Sequence, residues 1–92
     1  MLKVKYTSKF NKDIKLAKKQ NRNLDLLFEV VDKLIHQETL DAKYKDHNLS
    51  GNYKGCRECY IQPDWLLIYQ IKSNSLTLLL TRLGSYSTLY DK

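Results

Sequence analysis

Ninety-two residues suffice for one domain, residues 1–92, with a core so small that most periodic apolar positions are needed for stability. The net charge is +6, and it is unevenly placed: residues 1–22 carry eight Lys/Arg against one Asp, a local +7, while residues 23–92 sum to −1. A strongly basic end fits an anionic partner, nucleic acid or an acidic protein segment, and fits a solvated lysine face equally well. No leader-like apolar stretch, long apolar run or lipidation signal is present, so a soluble cytoplasmic chain without membrane contact is expected.

Leu2 to Tyr6 alternates apolar and basic residues, the pattern of a strand with one wet face. Thr7 or Ser8 can cap a first helix over about Lys9–Gln20, with Phe10, Ile14 and Ala17 on its inner side and Lys9, Lys12, Lys15, Lys18 and Lys19 spread over the others. Asn21-Arg22-Asn23 breaks that pattern, and Asn23 caps a second helix whose Leu24, Leu27, Phe28, Val31, Leu34 and Ile35 predict a wide buried stripe. Thr39–Asp46 is irregular and charged, and Asn48–Asn52 reads as a turn. A strand follows over Tyr53–Ile61, then a turn at Gln62-Pro63-Asp64, where Pro presets the dihedral. Trp65–Ile71 is apolar on both faces, as a central strand is. Lys72–Ser75 makes a second turn, Leu76–Leu83 a second buried strand, and Tyr86–Tyr90 a short aromatic tail. The order predicts an α+β sandwich: an N-terminal strand and a two-helix hairpin packed on one face of an antiparallel sheet completed by a three-strand meander.

Period two along the Tyr53–Ile61 strand puts Cys56, Glu58 and Tyr60 on one face and Arg57, Cys59 and Ile61 on the other. Cys56 and Cys59 form a Cys-x-x-Cys pair, yet a redox pair wants a helix N-terminus and a zinc site wants two more ligands, so two reduced cysteines on opposite faces are expected, with no metal and no cofactor. If Cys59 and Ile61 meet the helices, Glu58 and Tyr60 stand on the open face. His47 is expected on the loop entering this sheet, Asp64 in the next turn, and Arg82 and Tyr86 at the end of the last strand. A group titrating near neutrality, two carboxylates, a cation suited to phosphate and phenols able to stack or move protons fit metal-independent RNA cleavage. Each is also ordinary strand or turn chemistry taken singly.

Tyr44-Lys45-Asp46-His47, Gly51-Asn52-Tyr53-Lys54-Gly55, Arg57-Glu58-Cys59, Pro63-Asp64-Trp65-Leu66-Leu67-Ile68-Tyr69 and Arg82-Leu83-Gly84-Ser85-Tyr86-Ser87 together resemble the YafQ branch of the RelE/ParE toxin superfamily. The resemblance runs from the first strand to the C-terminus. It implies the RelE/ParE-like fold and a ribosome-dependent mRNA interferase of a type II toxin–antitoxin pair, cutting mRNA in the ribosomal A site. It implies a DinJ/RelB-like antitoxin partner, a toxin–antitoxin heterotetramer, and operator DNA contacted only through the antitoxin. By the same resemblance His47 is the base candidate, Glu58 and Asp64 assist it, Arg82 holds the scissile phosphate and Tyr86 serves as leaving-group acid or stacks on a base. Lys9, Lys12, Lys15, Lys18, Lys19 and Lys54 would meet ribosomal RNA. Tyr60 and Tyr86 depart from the family pattern, which has His at both places. The competing expectation is a toxin-fold protein without strong catalysis that binds its antitoxin or poisons DNA gyrase.

Overall fold

Alternation in the first six residues and helical periodicity in the next thirty set up two layers, which the computed structural model describes over residues 1–90. Strand β1 (Lys3–Tyr6) leads into α1 (Ser8–Lys19) and α2 (Leu24–Ile35). The sheet continues with β2 (His47–Asn48), β3 (Arg57–Gln62), β4 (Trp65–Lys72) and β5 (Thr77–Gly84), and the described chain ends in α3 (Tyr86–Tyr90). The spatial order is β1-β5-β4-β3-β2. The meander β3-β4-β5 is antiparallel, as expected, and β1 joins β5 in parallel, making the whole sheet mixed.

Both helices start where their caps predict. Thr7 Oγ1 accepts the Phe10 amide at 2.9 Å and donates to the Thr81 carbonyl at 2.8 Å, tying the helix start to β5. Asn23 Oδ1 accepts the Asp25 amide at 3.0 Å. The two helices cover one sheet face, where Phe10, Ala17, Leu27, Val30 and Leu34 meet Cys59, Ile61, Trp65, Leu67, Tyr69, Leu78, Leu80 and Leu83 in the main core. The opposite face carries a smaller cluster, Leu66, Ile68 and Leu89, flanked by Leu49, Tyr53, Cys56, Tyr60 and Tyr90. Cys56 and Cys59 thus lie on opposite sides of the sheet. Burial pushes the Cys59 thiol up to about 12.

Four local expectations change. Phe28 is 56% exposed and Val30 is fully buried, because α2 rests on the sheet along the line Leu27–Val30–Leu34 and the apolar stripe of the sequence is wider than that contact. The Tyr53–Ile61 strand starts only at Arg57: Gly51–Tyr53 is a 3₁₀ turn, and Gly55, at φ +91°, turns the chain into β3 in a conformation that glycine tolerates. His47 is in a two-residue strand rather than a loop. The aromatic tail is helical, with Ser85 at its start: its Oγ accepts the Thr88 amide at 3.2 Å and its carbonyl the Leu89 amide at 3.0 Å. Among the described residues no helix is long and apolar enough to cross a membrane.

Candidate active site

Glu58 stands opposite both His47 on β2 and Ile68 on β4, and Ile68 stands opposite Arg82 on β5. His47, Glu58, Ile68 and Arg82 therefore form one row across the sheet, with neighbours about 5 Å apart. Ile68 belongs to the cluster on the face away from α1 and α2, so the row lies on the open face. The candidate groups are carried by rigid strands.

Glu58 is 4% exposed, and both of its oxygens are used. Oε1 lies 3.2 Å from His47 Nε2, and Oε2 accepts the Tyr90 hydroxyl. His47 Nδ1 faces the Lys45 carbonyl at 2.6 Å. Lys45 reaches that position through a left-handed backbone, φ +49°, a conformation that costs a non-glycine residue about 1 kcal/mol. Both ring nitrogens of His47 thus face oxygen atoms, which fixes the orientation of the ring. Its side chain is 46% exposed, so the ring is held from behind and open in front. Burial, with the Glu58 hydrogen bond second, raises the Tyr90 phenol well above its ordinary value, so Tyr90 is a standing donor to Glu58.

At the other end of the row Arg82 forks onto Asp13 of α1, Nε to Oδ2 at 2.8 Å and Nη2 to Oδ1 at 3.2 Å. Asp13 Oδ2 also accepts the Leu83 amide at 2.9 Å. The amide is available because β1 ends opposite Leu80, leaving this stretch of β5 without a strand neighbour on that side. The Asp13 hydrogen bond is the largest cause raising the Arg82 pKa, and the nearby Tyr53 phenol acts in the same direction. Tyr53 and Tyr90 meet edge to face at 5.9 Å, and Tyr90 and Tyr86 meet at 4.9 Å, so an aromatic path bridges the two ends of the row.

Comparison with known proteins decides the family. The family described as "Bacterial toxin of type II toxin-antitoxin system, YafQ" matches residues 2–91. The chain belongs to the YafQ toxin family. It is 35% identical over 88 residues to the mRNA interferase toxin YafQ of Escherichia coli K12, covering 95% of this chain and 94% of that protein. It superposes on a metal-bound toxin from Helicobacter pylori with TM-score 0.92 and 48% identity, over 98% of this chain and 100% of the other. YafQ in the E. coli DinJ–YafQ complex gives TM-score 0.88 at 34% identity, over 98% and 99% of the two chains. The expected fold class is thereby shown. Among the described residues of this YafQ-family chain no three His, Cys, Asp or Glu side chains are grouped to hold a metal ion.

The remaining candidates distribute unevenly. Tyr60 shares Glu58's face two residues on, half-buried, with the Lys45 ammonium 5.8 Å from its ring centroid. Asp64, exposed in the β3–β4 turn, accepts the Tyr86 amide at 3.4 Å and so links that turn to the start of α3. Tyr86 is 61% exposed. Lys54 is exposed in the segment before β3, whereas Lys9, Lys12, Lys15, Lys18 and Lys19 are exposed on α1, in the helical layer and away from the row. Sequence reasoning missed Asp13, Tyr53, Tyr90 and the Asp46 carboxylate, which takes Arg57 in a fork and the Tyr69 hydroxyl at 2.6 Å. One signal was present: Asp13 falls at the i, i+3, i+7 spacing with Phe10 and Ala17, an acid on the buried stripe of a lysine-rich helix.

Proposed function

We propose that this chain is an mRNA-cleaving endoribonuclease, the toxin of a type II pair that acts on message in the ribosomal A site. The observation that carries the reading is the row His47–Glu58–Ile68–Arg82: a proton carrier backed by a buried carboxylate, and a guanidinium, on one open face. In a YafQ-family chain this is the equipment for attack of a ribose 2′-hydroxyl on its own 3′-phosphate. The 2′-oxygen bonds to phosphorus, the 5′-oxygen leaves, and a 2′,3′-cyclic phosphate and a 5′-hydroxyl result.

Two protons move, one off the 2′-hydroxyl and one onto the 5′-oxygen. One transfer is assigned to His47, fixed by Glu58 and the Lys45 carbonyl, and the other to Tyr86. Arg82 offers the phosphorane the N–H groups that Asp13 leaves free, with Asp13 holding the fork in orientation. Asp64 positions Tyr86 through its amide, and Tyr60 supplies an aromatic surface on the same face. Lys54 and the α1 lysines give the sequence-independent attraction to ribosomal RNA. The E. coli DinJ–YafQ complex supports an antitoxin of that kind as the neutralising partner here.

The test is to incubate the antitoxin-free protein with translating ribosomes on a defined message, beside naked RNA, and to map new 5′ ends by primer extension. Ends that appear only with ribosomes and vanish in His47→Ala support the proposal. Folded wild-type protein that yields no ends refutes it and directs attention to binding functions.

A further inference from the structure

A cavity of about 440 Å³ opens beside the β3–β4 turn, and of its lining only Tyr60 and the Lys45 carbonyl enter the chemistry assigned above. That volume lies within the roughly 300–1,000 Å³ typical of small-molecule sites. It exists because β2 begins only at His47, opposite Glu58, so among the described residues no strand lies against the outer edge of β3 beyond Glu58. The 3₁₀ turn Ala42–Tyr44 and α2 enclose the space instead. Buried Tyr44 and Ile61 line its floor, and Tyr60, Lys43, Lys45 and Gln62 also line it. The Lys43 ammonium lies 5.2 Å from the Tyr44 ring centroid, and that of Lys45 5.8 Å from the ring of Tyr60.

Rings that can stack, an amide with both donor and acceptor, and two ammonium groups match the parts of one nucleotide: base face, base edge and phosphate. Glu29 adds an acceptor for a base N–H and makes the pocket less suited to a bare anion. Tyr60 is two residues along β3 from Glu58, about 7 Å on the same face. A strand whose scissile phosphate lies on the row therefore brings a neighbouring nucleotide to the cavity mouth.

We propose that this cavity binds one unpaired RNA nucleotide adjacent to the cut and reads its base through Gln62. The proposal rests on the RNA-cleaving reading for its biological role, but its binding test is independent of cleavage. Fluorescein-labelled 2′-O-methyl tetranucleotides, one for each base, lack the attacking hydroxyl and are not cut. Their affinities, read by anisotropy, are compared with that of an abasic 2′-O-methyl strand of equal length. At least one base should bind about tenfold more tightly than the abasic strand, the range of stacking on aromatic side chains. Lys43→Glu should weaken binding by about tenfold, whereas Lys72→Glu, at the opposite end of β4, should change it less than about twofold. Gln62→Ala should level the four bases in this assay and, on ribosomes, flatten base preference at one position beside the cut.

Equal binding of abasic and base-bearing strands overturns the proposal, as does a Lys43→Glu variant indistinguishable from Lys72→Glu, or a Gln62→Ala variant with unchanged preference. If wild-type protein binds with base dependence yet cuts nothing on ribosomes, the cavity stands and the cleavage reading falls. If it cuts without base-dependent binding, the cavity proposal alone falls. Circular dichroism melts confirm that each variant is folded.

Discussion

Breaking the Arg82–Asp13 fork should cost more stability than any surface ion pair. The side chains are 17% and 9% exposed, and the acid also holds the Leu83 amide. Removing one member of a buried pair costs about 3–5 kcal/mol, and the partial exposure of Arg82 places Arg82→Ala near 3 kcal/mol. Asp13→Ala leaves both a guanidinium and a buried amide unpaired, which brings its cost to about 4 kcal/mol. The double variant orphans no charge, so it should lose about 2 kcal/mol less than the two singles together. For a domain of this size, 3 kcal/mol lowers the melting midpoint by about 12–20 °C. Urea and thermal melts of the four proteins at neutral pH read this directly. Additivity within about 0.5 kcal/mol would refute the coupling. Lost toxicity in Arg82→Ala therefore contains a folding component, and Arg82→Lys, which keeps a charge against Asp13 and gives up the fork, is the sharper probe of phosphate contact.

Three further outcomes follow from the same geometry. Tyr90 and Tyr69 both have raised pKa values, from burial first and a carboxylate hydrogen bond second. The native state keeps these protons after the unfolded chain has released them, so their stabilisation is complete below pH of about 10 and is lost as pH rises beyond it. Urea melts across the alkaline range should show a shallower fall for Tyr90→Phe than for wild type, and parallel curves would contradict the Tyr90–Glu58 bond. Leu27→Ala, at a 1% exposed position, should cost about 2–5 kcal/mol, while Phe28→Ala, at 56% exposure, should stay near 0.5 kcal/mol; equal losses would mean that α2 sits in a different rotation. Replacing Tyr86 by His, the residue of the family pattern, should raise ribosomal cleavage at neutral pH by about tenfold or more, because an imidazole titrates there and a phenol does not; an unchanged rate would remove Tyr86 from proton transfer.

Period-two reading placed Glu58 and Tyr60 on one face and Cys59 and Ile61 on the other, and Pro63 marked the hairpin, because these signals are local. Thr7 and Asn23 were legible as caps for the same reason. The row itself was not, since it depends on strand register: His47 meets Glu58 eleven residues away and Arg82 meets Asp13 at a separation of 69. Phe28 misled because a helix can carry more apolar residues than one contact line buries. Tyr90 was hidden by its type, a tyrosine in an aromatic tail, until α3 formed and turned its hydroxyl onto Glu58.

The two ends of the row are built alike. His47, half-exposed, is backed by Glu58, and Arg82, mostly buried, by Asp13, each oriented by a carboxylate less than 10% exposed. This fixes geometry, and it also neutralises much of the positive charge that the face would otherwise present. On the proposed RNA-cleaving reading the long-range pull on RNA then comes from elsewhere, and the +7 of residues 1–22 lies on β1, α1 and the turn after it. On that reading charge for capture and geometry for chemistry are separated into different layers of a very small protein. Salt should accordingly weaken ribosome engagement through the lysines while leaving the Arg82–Asp13 contact intact, because a largely buried pair is screened much less than exposed charges.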